Sequence, residues 1–291
     1  MMRLGRTWLF CIGLCWWGAS HAAGDGPLRV MVSIAPLQTF VTALGGDQVQ
    51  VQVLLPPGRG AENFEPSPRQ IAALADSDLF VRTGVAFENA WMDRTLAVNS
   101  RMKILDLREG LPLRDADHQH TDDPADAHEE KDPHVWTSPP LVKQMSAAIR
   151  DQLTQLRPSQ EAAFAAGYRQ FTEELDRLDQ ELRASLQDLP QRRFLVLHPA
   201  WGYFADTYGL VQIPVERDGK EPGAQALAEL VDEARRDGLK VIFVQPQFNP
   251  KPAETLAQAI GGRIEVLDDL APDYAANLRR AAWLLVEAAR P

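Results

Sequence analysis

Beyond residue 23 the chain carries five histidines, His118, His120, His128, His134 and His198, and no cysteine, because Cys11 and Cys15 both lie near the N-terminus. A transition-metal site here has to be built from imidazole nitrogen and carboxylate oxygen. His134 sits in Asp132-Pro133-His134-Val135-Trp136, where the proline fixes the backbone before the imidazole, just ahead of a helix expected near Pro139. His198 follows the apolar run Phe194–Leu197 and precedes Pro199. Glu62 lies in the Pro- and Gly-rich turn from Pro56 to Pro66, after a strand pattern, and Asp268 follows Ile264–Leu267. Singly, each has a plainer reading: a polar loop residue, a satisfied structural histidine or a solvated acid. Their shared placement after strands or at helix starts, two in each half, makes them candidate ligands, because sites in α/β sheets gather at the carboxyl ends of strands.

Short β-branched runs alternate with longer helical patterns. Leu28–Ala35, Val49–Leu55, Leu79–Thr83 and Lys103–Leu107 read as strands, with Pro68–Asp76 helical between them. The second half repeats the habit: Phe194–Leu197, Lys240–Val244 and Arg263–Leu267 as strands, Gly223–Asp237 and Lys251–Ile260 as helices. Such alternation predicts parallel sheets covered on both faces. Between the halves, Phe164, Tyr168, Phe171, Leu175, Leu178, Leu182 and Leu189 fall at four-three spacing, with Leu186 close to register. That stripe predicts one helix opened at Pro158-Ser159 and closed by Pro190. At about 1.5 Å per residue it would reach about 45 Å. A coiled-coil dimer would use the same stripe; an intramolecular rod against which both halves pack is preferred. The expected class is α/β with two lobes, 28–157 and 191–291, each a mostly parallel sheet flanked by helices, joined by a long rigid linker helix at 158–190.

Arg3 and Arg6, the apolar stretch Trp8–Trp17 and Ser20-His21-Ala22 read as a secretory signal peptide over residues 1–23. Export is therefore expected, and without thiols the fold depends on its core alone. The chain has 30 basic and 40 acidic residues, a net charge of −10, and without Arg3 and Arg6 the balance is near −12. That argues against nucleic acid, whose phosphates demand a basic surface, and suits attraction of cations. Residues 114–131, RDADHQHTDDPADAHEEK, hold almost nothing apolar and are expected to form a loop without a core of its own.

On Phe64-Glu65-Pro66-Ser67-Pro68, Asp132-Pro133-His134-Val135-Trp136, His198-Pro199-Ala200-Trp201-Gly202-Tyr203-Phe204, Pro246-Gln247-Phe248 and Leu267-Asp268-Asp269-Leu270, in that order, the chain resembles the zinc- and manganese-binding solute-binding proteins of ABC importers, the ZnuA/TroA-like group. The resemblance implies two α/β lobes on a rigid helix, metal in the cleft, His134 and His198 as two ligands, and Asp268 as the C-terminal carboxylate ligand. The group usually places histidine two residues before the aromatic of Phe-Glu-Pro; here that residue is Glu62. A set of two imidazoles and two carboxylates leans toward harder ions such as Mn2+ or Fe2+. The acidic loop with His118, His120 and His128, read as an auxiliary metal trap, leans toward zinc, as do Glu221-Pro222-Gly223-Ala224-Gln225 and Pro246-Gln247-Phe248. The expectation is Zn2+, with Mn2+ or Fe2+ as alternatives, in a periplasmic monomer whose partner is a membrane permease. A rival class is an exported zinc hydrolase with Glu62 or Asp269 as base, but no His-Glu-x-x-His helix and no Gly-x-Ser-x-Gly elbow occurs. A third is a surface adhesin. No enzyme activity is expected.

Overall fold

The computed structural model describes residues 26–91, 99–116, 131–216 and 222–290. The signal-peptide expectation at 1–23 and the loop histidines His118, His120 and His128 lie outside the described residues. Among the described residues, no helix is long and apolar enough to cross a membrane.

The first lobe runs β1 (Leu28–Val32), α1 (Ala35–Gly45), β2 (Val49–Val53), α2 (Pro68–Ala75), β3 (Leu79–Arg82) and β4 (Lys103–Asp106), then α3 (Pro139–Leu156). Its strands pair in the order β2-β1-β3-β4, all parallel. β1 and β3 occupy the middle and are buried almost throughout, whereas β2 at the edge alternates half-buried and exposed residues. Continuous apolar strands inside and alternating ones at the rim are what a sheet covered on both faces requires. β1 is shorter than the run Leu28–Ala35 suggested, because Pro36 pre-sets the first turn of α1 and Ala35 is already helical. Ser67 caps α2 through a reciprocal capping box with Gln70.

The second lobe repeats the plan with β5 (Arg193–Val196), α5 (Gly202–Tyr208), β6 (Val211–Pro214), α6 (Ala224–Arg236), β7 (Val241–Val244), α7 (Lys251–Ile260), β8 (Arg263–Val266) and α8 (Tyr274–Ala288). Its order is β6-β5-β7-β8, again all parallel. The sequence pattern did not reveal β6. It is four residues long and ends in Pro214, which only an edge strand tolerates.

Between the lobes lies α4 (Glu161–Leu186), entered through a 3-10 turn at Pro158–Gln160. Its 26 residues span about 39 Å at the standard rise, shorter than the stripe suggested because the helix ends at Leu186, before Leu189. Phe164, Phe171, Leu175, Leu178, Leu182 and Leu186 are buried along it. It packs against α1 and α3 of the first lobe and against α5 and α8 of the second. One apolar core therefore runs from the first sheet along α4 to one face of the second sheet. A smaller core fills the other face, under α6 and α7. The joint is aromatic. Fully buried Phe40 of α1 meets Phe171 of α4 at 5.8 Å and Tyr274 of α8, edge to face, at 4.9 Å. Hydrogen bonds cross beside it, from Thr39 Oγ1 to Pro272 O at 2.8 Å and between the hydroxyls of Ser138 and Thr207 at 2.8 Å.

α1 reaches α4 at Gly167. A Cβ there would stand 2.6 Å from the Leu44 carbonyl oxygen and 2.8 Å from that of Ala43. On an open helix Gly→Ala gains about 1 kcal/mol. Here backbone must move, so Gly167→Ala is expected to reverse that sign and cost about 1–3 kcal/mol, read as a lowered thermal midpoint.

Candidate metal centre

The candidate residues lie beyond the carboxyl ends of the two sheets, where the lobes face one another. Glu62 leaves β2 through a turn in which Gly58 adopts φ +75°. A Cβ on Gly60 would come within 2.9 Å of Glu62 Oε2, so glycine at that position leaves room for the Glu62 side chain.

His134 is set by its own loop. The Asp132 carboxylate accepts from the His134 amide at 2.9 Å and from Nδ1 at 2.7 Å, both through Oδ1. A carboxylate can only accept, which fixes the proton on Nδ1 and leaves Nε2 for a ligand. The 3-10 turn Val135–Thr137 follows, and buried Trp136 donates its Nε1–H to the Asp269 carbonyl of the other lobe at 2.9 Å. Tyr203 adds a second crossing, donating to the Asp132 carbonyl at 2.9 Å.

His198 ends β5. Gln245 donates to its carbonyl at 3.1 Å, and the Phe248 ring stacks on the imidazole at 4.6 Å with 22° between planes. Across the cleft the rings of His134 and His198 stand 5.3 Å apart. His198 Nε2 is 3.5 Å from Glu62 Oε1, close to the edge of a tetrahedron with bonds of about 2 Å. Among the described residues, neither ring nitrogen of His198 has a hydrogen-bond partner. Buried polar atoms are normally satisfied, so such orphans point to a missing ligand. The cleft opens into a cavity of about 790 Å3 lined by Glu62, His134, His198, Glu216 and Phe248, among others.

The structure thus brings Glu62, His134 and His198 together. Asp268 stands apart in its bonding: its Oδ1 accepts from Gln247 Nε2 at 2.8 Å and from the Leu270 amide at 3.0 Å. Its neighbour Asp269 is buried in the field of both imidazoles. Burial pushes its carboxyl up to about 6, assisted by the charges of Asp268 and Glu62 and opposed by the two histidines. For His134, burial disfavours the imidazolium, yet Asp132 first, then Asp269 and Glu62, outweigh it and hold the ring above its ordinary value. Among the described residues, no three His, Asp or Glu side chains form a finished coordination set, so a bound ion requires side chains to converge.

Sequence reasoning did not single out Asp132, Phe248 or Glu216. Asp132 and Phe248 lay within recognised motifs but carried no marker of their own. Glu216 follows β6, the strand that went unread. It stands with Oε2 3.7 Å from His198 Nδ1.

A cleft lined by imidazoles and carboxylates and open to solvent suits capture of a divalent cation. Comparison with known proteins agrees. The model of the family described as ZnuA, zinc-uptake complex component A, periplasmic, matches residues 30–288. The chain belongs to the ZnuA family. It is 30% identical over 265 residues to the high-affinity zinc uptake system protein ZnuA of Bacillus subtilis, covering 87% of this chain and 81% of that one. It is 28% identical over 262 residues to the zinc-binding lipoprotein AdcA of Streptococcus pneumoniae, covering 87% of this chain and 52% of that one. The chain therefore spans about half the length of the AdcA relatives it matches. A crystal structure of ZnuA superposes with a TM-score of 0.85 at 39% identity over 91% of this chain and all of that one. The laminin-binding protein Lmb of Streptococcus agalactiae, described as having adhesin and metal-transporting activity, follows with 0.79 at 25% identity over 91% and 100% of the two chains. Two parallel four-stranded sheets on a long helix are the shared plan.

Asp132 is what offsets the burial of His134. Asp132→Asn is expected to drop the His134 pKa from above its ordinary value toward or below it, followed by NMR titration of the ring protons.

Proposed function

We propose that the chain captures one zinc ion in the cleft between its lobes, in the periplasm, and hands it to the membrane permease of an ABC importer. The observation that carries this reading is the meeting of His134 and His198, 64 positions apart in sequence, at 5.3 Å with an unpartnered ring nitrogen 3.5 Å from Glu62. Membership of a family defined by a zinc-uptake component supports the cargo. The relatives from Bacillus subtilis and Streptococcus pneumoniae, and a zinc-bound ZnuA deletion mutant with a TM-score of 0.85, support it further.

In this reading Glu62, His134 and His198 supply three ligands, and one carboxylate of the Asp268–Asp269 pair closes the fourth side. Residues 1–23 direct export, and His118, His120 and His128 serve as an auxiliary trap that raises the local metal concentration. The protein acts as a monomer, binds no nucleic acid and catalyses no reaction. Glu62 is the one feature favouring a harder ion such as Mn2+ or Fe2+; two imidazoles and a tetrahedral edge favour zinc.

Competition titration with a zinc-sensitive chelator tests the site. The wild type is expected to bind one zinc per chain, more tightly than manganese. His134→Ala and His198→Ala are each expected to lose more than about 100-fold, beyond the 10–100-fold usual for residues behind the ligands. Glu62→Ala should lose less than either. Of Asp268→Asn and Asp269→Asn, the variant losing more affinity identifies the fourth ligand. Stoichiometric binding that survives removal of both histidines would sink the proposal.

The pH dependence has a definite sign. Metal and proton compete for His134, whose affinity for the proton is raised, and for Asp269, which titrates at about 6. Zinc affinity is therefore full at alkaline pH. It begins to fall above pH 6.5 as His134 takes up a proton, and falls more steeply as pH passes about 6. Calorimetry at pH 6 in buffers of differing ionisation enthalpy should register proton release on binding.

A further inference from the structure

We propose that Glu216 is a positioning residue for His198, accepting its Nδ1–H so that Nε2 is the nitrogen presented to the metal. This rests on the reading of the cleft as a metal site and adds a residue to it.

Three observations carry the proposal. First, the backbone puts Glu216 beside His198 by design of the sheet. The parallel pairing of β5 with β6 continues past both strand ends, the Val215 amide donating to Val196 O at 2.8 Å and the Glu216 amide to Leu197 O at 3.0 Å. Extending that register from Val196 opposite Pro214 sets Glu216 opposite His198, whatever its side chain does. Second, Glu216 Oε2 and His198 Nδ1 are both buried, and among the described residues neither has a hydrogen-bond partner. They stand 3.7 Å apart, so about 0.8 Å of side-chain adjustment closes a hydrogen bond of ordinary length. Third, the two ring nitrogens face different acids. Nε2 looks across the cleft to Glu62 of the first lobe at 3.5 Å, and Nδ1 looks back to Glu216 of its own lobe.

The resulting arrangement is symmetrical in chemistry. Asp132 holds Nδ1 of His134 at 2.7 Å, and Glu216 holds Nδ1 of His198. Each lobe supplies one imidazole and the carboxylate that fixes its tautomer, and both Nε2 atoms converge on the cleft. A carboxylate behind a metal-bound imidazole orients the ring and raises its basicity, and its loss commonly weakens metal binding 10–100-fold. Phe248, stacked on the His198 ring, restricts ring tilt but has no group that chooses between the nitrogens.

The test compares wild type, Glu216→Ala and Glu216→Gln in the full chain, with zinc affinity by chelator competition and long-range proton–nitrogen NMR of His198. In the zinc-loaded wild type, Nδ1 should carry the proton and Nε2 the metal. Glu216→Ala should weaken zinc about 10–100-fold and leave metal-free His198 as a mixture of tautomers. Glu216→Gln keeps the volume and an accepting oxygen, so it should retain the Nδ1–H tautomer and recover part of the lost affinity. If Glu216→Ala does not fold, the tautomer in Glu216→Gln and the wild-type nitrogen assignment still decide the matter. Unchanged affinity in Glu216→Ala, or zinc bound to Nδ1 of His198, would overturn the proposal while leaving the metal site standing. A wild-type chain that binds no zinc would remove the site itself.

Discussion

The cleft gathers acidic side chains around its two imidazoles, with Arg59 and Lys131 in its lining and Arg114 3.6 Å from Asp132. Four carboxylates, from Glu62, Asp132, Glu216 and Asp269, lie around two imidazoles. In a partly buried space such charges repel one another and resist desolvation. The protein relieves this partly by raising proton affinity, at His134 and at Asp269. In the proposed reading a divalent cation would relieve it further. In that reading metal and proton would answer one electrostatic condition, and each would oppose the other.

Such a condition persists only if the walls hold their places. The lobes are not two cores connected by a tether. A single apolar core passes through α4, with Phe40, Phe171 and Tyr274 joining three helices at the seam. Nearer the site, Trp136 to Asp269 and Tyr203 to Asp132 bind the loop of each lobe to the other. Wide hinge opening would expose that aromatic seam and break these bonds together. Any adjustment that the proposed metal binding requires would accordingly fall in side chains and in the loops after the strands, where Glu62 and Asp268 sit.

The repeated topology explains why candidate residues from both halves face one cleft. In each sheet the strand order reverses beside the first strand, β1 or β5, and the loops that follow diverge there. Two such sheets facing one another through their carboxyl ends produce one cleft with equivalent walls.

Much of this was legible in the residues. The absence of thiols beyond residue 23 limited a metal site to imidazole and carboxylate, and the strand–helix alternation called for parallel sheets. The stripe from Phe164 to Leu186 drew the central helix, since periodicity is a local property that burial simply selects. Tertiary structure decided what no local pattern holds. It set Glu62 against His198 and His134 against His198, which are remote in the chain. It chose Nδ1 of His134 for Asp132, buried Asp269 while engaging Asp268 with Gln247, and registered Glu216 beside His198 through an unanticipated edge strand. Side-chain type states which chemistry is available. Which nitrogen or oxygen meets which depends on strand register and lobe packing, and these are fixed only by contacts between distant segments.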